Sequence, residues 1–499
     1  MNAFIVGGTH SGVGKTTISL ALMAFFSSKG IKVQPFKVGP DFIDPGLHSR
    51  VTGRVSRNLD GWMLTRSYNQ ALFAWNCRDA EIAIIEGVMG FYDGFDGKSE
   101  DGSTAQMAKW LDVPVLLIVD AQSMARSVAA IVHGFTTFDK EIKWVGVILN
   151  RVGSYKHFEY LREALLSSLP HIPILGWIPR EQSLTLPERH LGLVTVDESP
   201  LDKPWMDRAA DLIRKFIDVE TLLARSHVAV PFTHQSPFNY NNFKESPDQT
   251  RIRIAIARDE AFCFYYEDNI DLLKAYGADI CFFSPVRGEP IPTDIDAVIL
   301  GGGYPEMHLE KLSSNKIFFD ELRRRFSLGI PIYAECGGLM TLSRFIEDWE
   351  GKRWTMAGIL PFGTKMLKRR KALGYVEVKL SRNCILGPAG SRIRGHEFHY
   401  SEICNEDFAN APPINHHKEG LLARQGGFIG RAAPKSNVSI TASMETIYEV
   451  SRRKGDTIRQ EGYCIGSAIA SYVHQHWGSN PNVPKNFVSF LKRRIKNSP

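Results

Sequence analysis

The sequence predicts an α/β protein built from two doubly wound domains, and three observations support that fold class. Short apolar runs alternate with longer segments of helical periodicity throughout the first half of the chain. These runs are almost continuously apolar, as expected for parallel strands that helices cover on both faces. The same alternation starts again after residue 250, so the chain carries two such units in series.

The N-terminal unit contains six predicted strands, which are AFIVG, KVQPFKV, AEIAIIEG, VPVLLIVDA, KWVGVILNRV and IPILGWIP. The segment 227–250 is rich in Pro, Asn, Ser and Gln and lacks periodicity, which predicts a linker. Beyond it, a second parallel set is predicted by RIRIAIARD, ADICFFSPV, DAVILGGGYPE and IPIYAECGG. The later runs GYVEVKL, RGHEFHYSEI and GFIGRAA are more typical of antiparallel strands. We therefore predict domains at 1–226 and 251–499, joined by 227–250.

The composition is that of an ordinary globular protein, with 43% hydrophobic and 23% charged residues among 499. The net charge of +6 includes short basic clusters such as 368–371, which we interpret as a solvated face rather than a nucleic-acid site. Seven scattered cysteines without a CxxC pair argue against a disulfide framework or a zinc site. The chain starts directly in a predicted strand, and no apolar run reaches the ~18 residues of a membrane span. We expect a cytoplasmic protein without membrane or nucleic-acid partners.

The stretch THSGVGKT, residues 9–16, resembles a phosphate-binding loop, although the early glycine, Gly8, stands one position too soon for the usual spacing. The loop follows a predicted strand and opens a predicted helix, whose free N–H groups and dipole favour phosphate. Its glycines allow close backbone approach, its lysine reaches the outer phosphates, and its threonine hydroxyl suits Mg²⁺. The residues expected to hold the nucleotide are Gly12, Gly14, Lys15 and Thr16.

Four carboxylates are predicted to gather beside this loop. Asp41 and Asp44 follow the second strand, Glu86 ends a buried strand, and Asp93 lies in the glycine-flanked loop after it. The carboxyl ends of parallel strands line the ligand crevice of an open α/β sheet. Mg²⁺ prefers oxygen ligands and shares them with phosphates, so the sequence predicts a nucleotide and metal site at this edge.

The C-terminal unit contains a candidate nucleophile, Cys336, directly after an apolar strand and before Gly337. This pattern is typical of a tight strand-to-helix turn that exposes a side chain and aims backbone N–H groups at an oxyanion. The loop GGGYPE, 301–306, is expected to supply the other oxyanion donor. The base is expected from SYVHQHW, which offers His474 and His476.

These motifs resemble two known families. ILGGGYPE, AECGGLM and SYVH are similar to class I glutamine amidotransferase domains, and THSGVGKTT, VQPFKVGPDFIDPG, SRNLDGWM, EGVMGFYDG and ILNRV are similar to the dethiobiotin-synthetase-like ATP domain of the P-loop NTPase class. In this order, with RDEAFCFYYEDN and RGHEFHYSE, they resemble the cobyrinate a,c-diamide synthase family over nearly the whole chain. The resemblance implies an ATP- and Mg²⁺-dependent ligase of cobalamin biosynthesis. It would phosphorylate the a and c carboxylates of a corrin acid and amidate them with ammonia from glutamine.

The resemblance also implies a role for each matching residue. Cys336 would be the glutaminase nucleophile, with His474 preferred over His476 as base because it follows the Tyr-x pair of the family motif. The oxyanion would be held by Gly302, Gly303 and Gly337, and Asn150 would read the adenine edge. Asp41, Asp44 and Asp93 would serve the activated carboxylate, and Thr16, Asp44 and Glu86 would serve the metal.

Two departures and several alternatives follow from the same residues. The triad Glu expected two residues after the base is replaced by His476, and the position that is Lys in partition-type ATPases is His10. The second departure, with the second domain, disfavours an ATP-switched partition protein. Cobyric acid synthase, or the same reaction on hydrogenobyrinate or nickel sirohydrochlorin, stays open. A homodimer also stays open, as does a metal or macrocycle role for His396 and His399, which we interpret first as a buried strand pair.

Overall fold

The structure is a computed structural model that describes residues 1–180, 184, 201–229, 236–238, 250–404, 443–452 and 457–497. The predicted strand GFIGRAA and most of the predicted linker 227–250 lie outside these residues. Among the described residues, no helix is both long and apolar enough to cross a bilayer. All seven cysteines fall within the described residues, and none of them forms a disulfide there.

The described part of the N-terminal domain alternates strands and helices. Its strands are β1 (Asn2–Gly8), β2 (Val33–Val38), β3 (Arg57–Leu59), β4 (Ile82–Glu86), β5 (Val115–Asp120), β6 (Trp144–Val152) and β7 (Ile174–Pro179). Its helices are α1 (Lys15–Ser28), α2 (Ile43–Thr52), α3 (Arg66–Cys77), α4 (Thr104–Leu111), α5 (Ser127–Phe138), α6 (Tyr155–Ser168), α7 (Lys203–Phe216) and α8 (Val219–Arg225). All six predicted strands are confirmed.

These strands form one parallel sheet in the order β3-β2-β4-β1-β5-β6-β7. The chain winds from β1 to one side and then crosses to the other, so a crevice opens at the carboxyl end of β1. Five of the helices begin at a Ser, Thr or Asp side chain that accepts a backbone N–H of the first turn. Helix α1 begins instead at Gly14, which leaves its N-terminal amides uncapped by a side chain at the crevice.

The described part of the C-terminal domain contains more strands than helices. Its strands are β8 (Ile252–Ala257), β9 (Ala278–Phe283), β10 (Ala297–Leu300), β11 (Ile332–Glu335), β12 (Phe345–Glu347), β13 (Arg353–Thr355), β14 (Gly363–Met366), β15 (Ala372–Leu380), β16 (Arg392–His399), β17 (Ser401–Cys404), β18 (Glu445–Ser451), β19 (Arg459–Ile465), β20 (Ala468–Ser471) and β21 (His474–Gln475). Its helices are α9 (Glu267–Ala275), α10 (Leu309–Ser314), α11 (Lys316–Ser327), α12 (Gly337–Leu342) and α13 (Asn482–Lys496), with 3₁₀ turns at Pro305–Met307 and Trp477–Ser479.

The C-terminal sheet is mixed rather than wholly parallel. Its order is β21-β16-β15-β18-β19-β20-β11-β10-β8-β9, and a separate small sheet has the order β13-β12-β14-β17. The predicted parallel set forms the half from β9 to β11, with β20 as a fifth parallel member. The predicted antiparallel pair β15 and β16 is confirmed. The strands β12 to β14 and β18 to β21 were not predicted. Of these, β12 to β14, β20 and β21 have four residues or fewer, which is too short to show a period.

The two domains meet through buried polar contacts and an aromatic cluster. Arg57 of β3 donates to Asp268 (3.0 Å) and to Asp271 (2.6 Å) of α9. The Tyr68 hydroxyl donates to Asp268 at 3.0 Å, and the Tyr375 hydroxyl donates to Asp60 at 2.7 Å. The interdomain aromatic cluster comprises Met63, Leu64 and Tyr266 together with Phe42, Trp62, Tyr68 and Tyr375. These contacts place the carboxyl end of the first sheet against the second domain.

The buried arginine at this interface gives the first prediction. We expect Arg57→Ala to lower the free energy of unfolding by about 3–5 kcal/mol, because it leaves Asp268 buried without its cation. The side chains of Arg57 and Asp268 are only 11% and 3% exposed. Urea unfolding followed by tryptophan fluorescence measures the change.

The matched control is Arg214→Ala, which removes the cation of an exposed pair with Asp211 on α7. We expect it to change the free energy by less than about 1 kcal/mol. Equal shifts for the two variants would show that the buried interface pair contributes nothing special.

Candidate active sites

The loop between β1 and α1 has the backbone of a phosphate-binding loop. Gly12 and Gly14 have φ values of +80° and +101°, a left-handed region that disfavours side chains. A Cβ at Gly8 would lie 2.5 Å from Val13 Cγ1, so this position also requires glycine. The longer glycine spacing seen in the sequence is therefore compatible with a tight loop.

Lys15 lies along this loop with its ammonium directed at backbone carbonyls. Its Nζ donates to the carbonyl of Met89 and, at 3.2 Å, to that of His10. Burial and the nearby charge of Lys37 lower the pKa of Lys15 to about 8. The ammonium therefore lies inside the crevice, where an anion would strengthen its charged form.

Glu86, at the end of β4, ties three elements together. Its Oε1 accepts from the Thr16 hydroxyl at 2.6 Å and from Lys37 Nζ at 2.9 Å, and its Oε2 accepts from His48 Nε2 at 2.7 Å. These donors come from α1, β2 and α2. Both carboxylate oxygens are therefore occupied, and the carboxylate is fully buried.

Lys37 is the site residue that the sequence reading missed. It stands in the buried strand β2, and its side chain is only 5% exposed. Its Nζ lies 2.5 Å from Asp44 Oδ2 and 3.9 Å from Asp41 Oδ2, as well as contacting Glu86. The available signal was a charged residue inside an otherwise buried strand, since lysine is almost never buried unless it is paired.

The charges of this cluster shift one another. Burial alone would lower the pKa of Lys37, but the carboxylates of Asp44 and Glu86 outweigh it and hold that pKa well above its usual range. Burial would raise the pKa of Glu86, but Lys37 and His48 outweigh it and hold that pKa below its usual range. Burial, with the neighbouring carboxylates of Asp41 and Glu86, raises the pKa of Asp44. The Lys37–Glu86 pair is thus strongly ionised.

The structure brings Asp41, Asp44 and Glu86 together as the sequence predicts, although Asp44 lies in the first turn of α2 rather than in a loop. Asp93 is exposed, and its Oδ2 accepts from the Gly90 amide at 3.0 Å. Its charge acts favourably on Lys15. The four acids therefore share one end of the sheet.

Asn150 lies behind the phosphate loop. Its Nδ2 donates to the Val13 carbonyl at 2.8 Å, and its Oδ1 accepts from the Arg151 amide at 2.9 Å. A Cβ at Gly14 would lie 2.3 Å from the same Nδ2. These contacts support a role in holding the loop, and the adenine role stays a prediction.

The donor set at this edge fits a magnesium ion shared with phosphate. The Thr16 hydroxyl gives its proton to Glu86, which leaves its oxygen lone pairs for a metal. The carboxylate of Asp44, which lies 2.5 Å from Lys37 Nζ in the same cluster, would supply a second oxygen. Among the described residues, no group of three or more His, Cys, Asp or Glu side chains is placed to hold a metal ion. Mg²⁺ usually takes one or two carboxylates together with phosphates and water.

The second site is centred on Cys336, between β11 and α12. Its backbone has φ +46° and ψ −101°, a strained conformation for a residue with a side chain. The thiol lies 3.8 Å from the Phe398 carbonyl, and burial raises its pKa. This turn has the geometry predicted for a nucleophile between a strand and a helix.

The glycines predicted to form an oxyanion site lie together beside this turn. A Cβ at Gly337 would lie 3.2 Å from the Gly303 amide nitrogen, and Gly338 N donates to the Gly301 carbonyl at 3.0 Å. A Cβ at Gly302 would lie 2.3 Å from His474 Cε1. The imidazole of His474 is thus packed directly onto the oxyanion loop.

The two candidate bases face different neighbours. His474 contacts the oxyanion loop, whereas His476 Nε2 lies 3.8 Å from Asp268 at the domain interface. Burial lowers the pKa of both imidazoles, to about 3 for His476. The position of His474 supports its choice as base.

A carboxylate that the sequence did not suggest lies near His474, although the triad Glu expected two residues after it is absent. Glu335, the residue before Cys336, places Oε2 3.9 Å from His474 Nδ1. The Tyr333 hydroxyl and the Gln475 amide hold the other oxygen of Glu335. Burial raises the pKa of Glu335 to about 7. Glu335 is therefore the candidate for the carboxylate of the triad, in place of the absent Glu.

The interpretation of His396 and His399 as a buried strand pair is confirmed, since both are buried in β16. His396 Nδ1 lies 2.9 Å from the Tyr266 hydroxyl. His399 Nδ1 lies 2.8 Å from the Ser401 carbonyl and therefore donates to it. Each imidazole thus has a protein partner.

Two family models match this chain. Residues 4–194 match the CobQ/CobB/MinD/ParA nucleotide binding domain, and residues 253–482 match the CobB/CobQ-like glutamine amidotransferase domain. The first family includes partition-type proteins, but the second match gives the chain a domain with a different chemistry.

Curated relatives match over almost the full length. A cobyrinate a,c-diamide synthase of Syntrophotalea carbinolica is 42% identical over 98% of this chain and 98% of its own. Proteins of the same name are 38% identical in Leptospira interrogans, over 98% of each chain, and in Salmonella typhimurium, over 99% of this chain and 98% of its own. The match therefore includes both domains and their order.

The buried cluster around Lys37 gives a prediction with a defined pH dependence. We expect Lys37→Met to lower the free energy of unfolding by about 3–5 kcal/mol at pH 7.5, because it removes the buried lysine cation and leaves the Glu86 carboxylate with only Thr16 and His48 as partners. In the native protein the pKa of Glu86 is depressed, so its stabilisation is present above its ordinary pKa of 4.5 and is lost as pH falls. In the variant, burial would instead raise that pKa. The penalty should then shrink as pH falls towards 4.5.

Urea midpoints at pH 7.5, 6.5 and 5.5 test this expectation. The control is Lys143→Met, which breaks an exposed pair with Asp112 and should change the free energy by less than about 1 kcal/mol. A Lys37→Met deficit that stays constant or grows as pH falls would contradict the ionised pair.

Proposed function

This chain belongs to the cobyrinate a,c-diamide synthase family, and we propose that it amidates the a and c side-chain carboxylates of cobyrinic acid. The reaction would use ATP and ammonia from glutamine and would proceed through acyl phosphates. One observation carries the proposal. Phe42 stands between Asp41 and Asp44 in the chain, and its ring centroid lies 5.1 Å from that of His474. The two candidate sites are therefore in direct contact.

The N-terminal crevice suits carboxylate activation. A carboxylate oxygen of the substrate would attack the γ-phosphorus of ATP, forming an acyl phosphate and releasing ADP. Ammonia would then attack the carbonyl carbon, and the C–O bond to phosphate would break. Lys15 and the first amides of α1 support phosphate binding, since the lysine lies along the loop and no side chain caps this helix N-terminus.

The metal role follows the donor chemistry of the same edge. We propose that Thr16 and Asp44 hold Mg²⁺ and that Glu86 orients the Thr16 hydroxyl. A bound Mg²⁺ would neutralise charge on the transferring phosphoryl group. Lys37 supplies a fixed positive charge among these carboxylates, and Asp41 and Asp93 stand where the substrate carboxylate would be activated.

The C-terminal site suits glutamine hydrolysis. The Cys336 thiolate would attack the amide carbon of glutamine, and His474 would take the thiol proton and give it to the departing ammonia. Water would then hydrolyse the thioester to release glutamate. The backbone amides of Gly303 and Gly337 support stabilisation of the tetrahedral oxyanion, because the two glycines are in close contact: a Cβ at Gly337 would lie 3.2 Å from the Gly303 amide nitrogen.

An amidation assay tests the proposal. The protein is incubated with cobyrinic acid, ATP, Mg²⁺ and glutamine, and products are followed by mass spectrometry. We expect a diamide from the native protein, and from Cys336→Ala only when ammonia replaces glutamine. The removal of a covalent nucleophile should abolish glutamine-driven amidation while the ATP site stays intact.

Parallel incubations with hydrogenobyrinate and with nickel sirohydrochlorin decide the substrate. Amidation of one of these, and not of cobyrinic acid, would overturn the substrate assignment while keeping the reaction. Glutamine hydrolysis without amidation of any of them would overturn the proposed reaction.

The packing of His474 on the oxyanion loop gives a second catalytic prediction. We expect Gly302→Ala to lower glutamine-driven turnover by about 10²-fold or more, because its Cβ would displace the imidazole and disturb the oxyanion site. The clash, 2.3 Å to His474 Cε1, involves a fully buried ring with little room to move. Glutamate release measures the loss, and ammonia-driven amidation should persist.

The control is Gly134→Ala on α5, where an added Cβ meets no atom within 4 Å. We expect it to leave both rates unchanged. A Gly302→Ala enzyme with native glutamate release would contradict the placement of His474 in the glutaminase site.

A further inference from the structure

Phe42 belongs to one domain but packs against the catalytic groups of the other. It precedes helix α2, between Asp41 and the first helical residue. Its ring stacks on Phe264 with centroids 5.1 Å apart and an interplanar angle of 13°. It also lies 4.6 Å from Tyr266, 5.3 Å from His396 and 5.1 Å from His474. Phe42, which stands between Asp41 and Asp44 in the chain, thus covers one side of the imidazole of His474, the proposed glutaminase base.

The rings around His474 exclude water from it. The His396 ring stacks on that of His474, with centroids 5.1 Å apart and an interplanar angle of 22°. The ring of Phe42 covers another side of the same imidazole. His474 is fully buried, and neither of its nitrogens has a hydrogen-bond partner among the described residues. The imidazole must accept and return a proton, yet Glu335 Oε2 lies 3.9 Å from its Nδ1, too far for a hydrogen bond. In this arrangement the imidazole is enclosed by aromatic rings and is not placed to transfer a proton.

The same loop responds to what occupies the carboxylate site. Asp41 and Asp44, on either side of Phe42, lie 3.9 and 2.5 Å from Lys37 Nζ. Gly39, just before them, has φ +91°, and its carbonyl is held by Asn58 Nδ2 at 2.9 Å. A substrate carboxylate competing for Lys37 would change the partners of both acids. Because the ring is one or two residues away, such a change would also move it.

We propose that Phe42 couples the two sites: its ring seals His474 from the carboxylate site, and substrate at Asp41 and Asp44 displaces it. Displacement opens the way for ammonia to reach the acyl phosphate and lets His474 act. This inference rests on the proposed function for the route of ammonia, whereas the seal on His474 stands on the ring contacts alone. Phe42 is a positioning residue, since it acts through His474 and the loop.

The test is glutamine hydrolysis by the full chain without ATP or corrinoid. We expect Phe42→Ala to raise this basal glutamate release about fivefold or more, the lower end of a typical coupling between sites. With ATP and cobyrinic acid present, glutamate released per amide formed should rise above the value measured for the native protein by a similar factor. A purely structural role would lower all rates together and leave this ratio unchanged.

The matched control is Trp62→Ala, which removes an aromatic ring from the same interdomain cluster. Trp62 stacks on Tyr375 with centroids 4.8 Å apart. We expect its basal glutamate release to match that of the native protein. Equal increases in both variants would overturn the specific role of Phe42, because any loosening of the interface would then suffice.

The remaining outcomes are also decisive. Basal release by Phe42→Ala that is unchanged or lower than native overturns the seal. If Phe42→Ala does not fold, Phe42→Leu carries the test, and we expect an increase in the same direction. Failure of the native protein to amidate with ammonia would overturn the proposed function, but basal glutamate release would still decide the seal.

Discussion

The arrangement of the first site depends on one buried carboxylate. Glu86 accepts from Thr16, Lys37 and His48, so the phosphate loop, the second strand and helix α2 are fixed to one point. A buried carboxylate with both oxygens occupied tolerates little movement, since losing any donor leaves charge unpaired in a low-dielectric interior. Thr16 of the phosphate loop, and Lys37 with the acids Asp41 and Asp44 around it, are therefore positioned by the same group. The sheet brings them to one edge, and Glu86 sets their spacing.

The second constraint is the short, buried interface between domains. Arg57 and Tyr68 both hold Asp268 of α9, and Tyr375 holds Asp60. Asp268 in turn lies 3.8 Å from His476, two residues beyond the candidate base. These contacts hold the domain that carries Asp41, Phe42 and Asp44 against the strand that carries His474. The two candidate sites lie on different domains, and the interface between the domains brings them together.

The sequence predicted what local patterns determine and missed what the fold assembles. The phosphate loop and the turn at Cys336 have local backbone requirements, so Gly14 and the residues around Cys336 could be identified from spacing. Lys37 was missed because its role comes from acids distant in the chain, and a single lysine in a strand gives only a weak signal. Phe42 could not be assigned at all, because its ring partners lie more than two hundred residues away. Glu335 was missed for the same reason, since its proximity to His474, 3.9 Å from Oε2 to Nδ1, joins residues far apart in the chain.

The electrostatics of the second site explain why the contact between Phe42 and His474 matters. Burial raises the pKa of Cys336, while burial and the nearby imidazole of His396 lower that of His474. A thiol and an imidazole shifted in opposite directions form a neutral pair, which is a poor nucleophile at neutral pH. Admitting polar groups or water would move both values back towards thiolate and imidazolium. If the Phe42 ring leaves this pocket, the imidazole of His474 becomes accessible to such groups. On the proposed coupling, glutamine would then be hydrolysed when the neighbouring site holds its substrate.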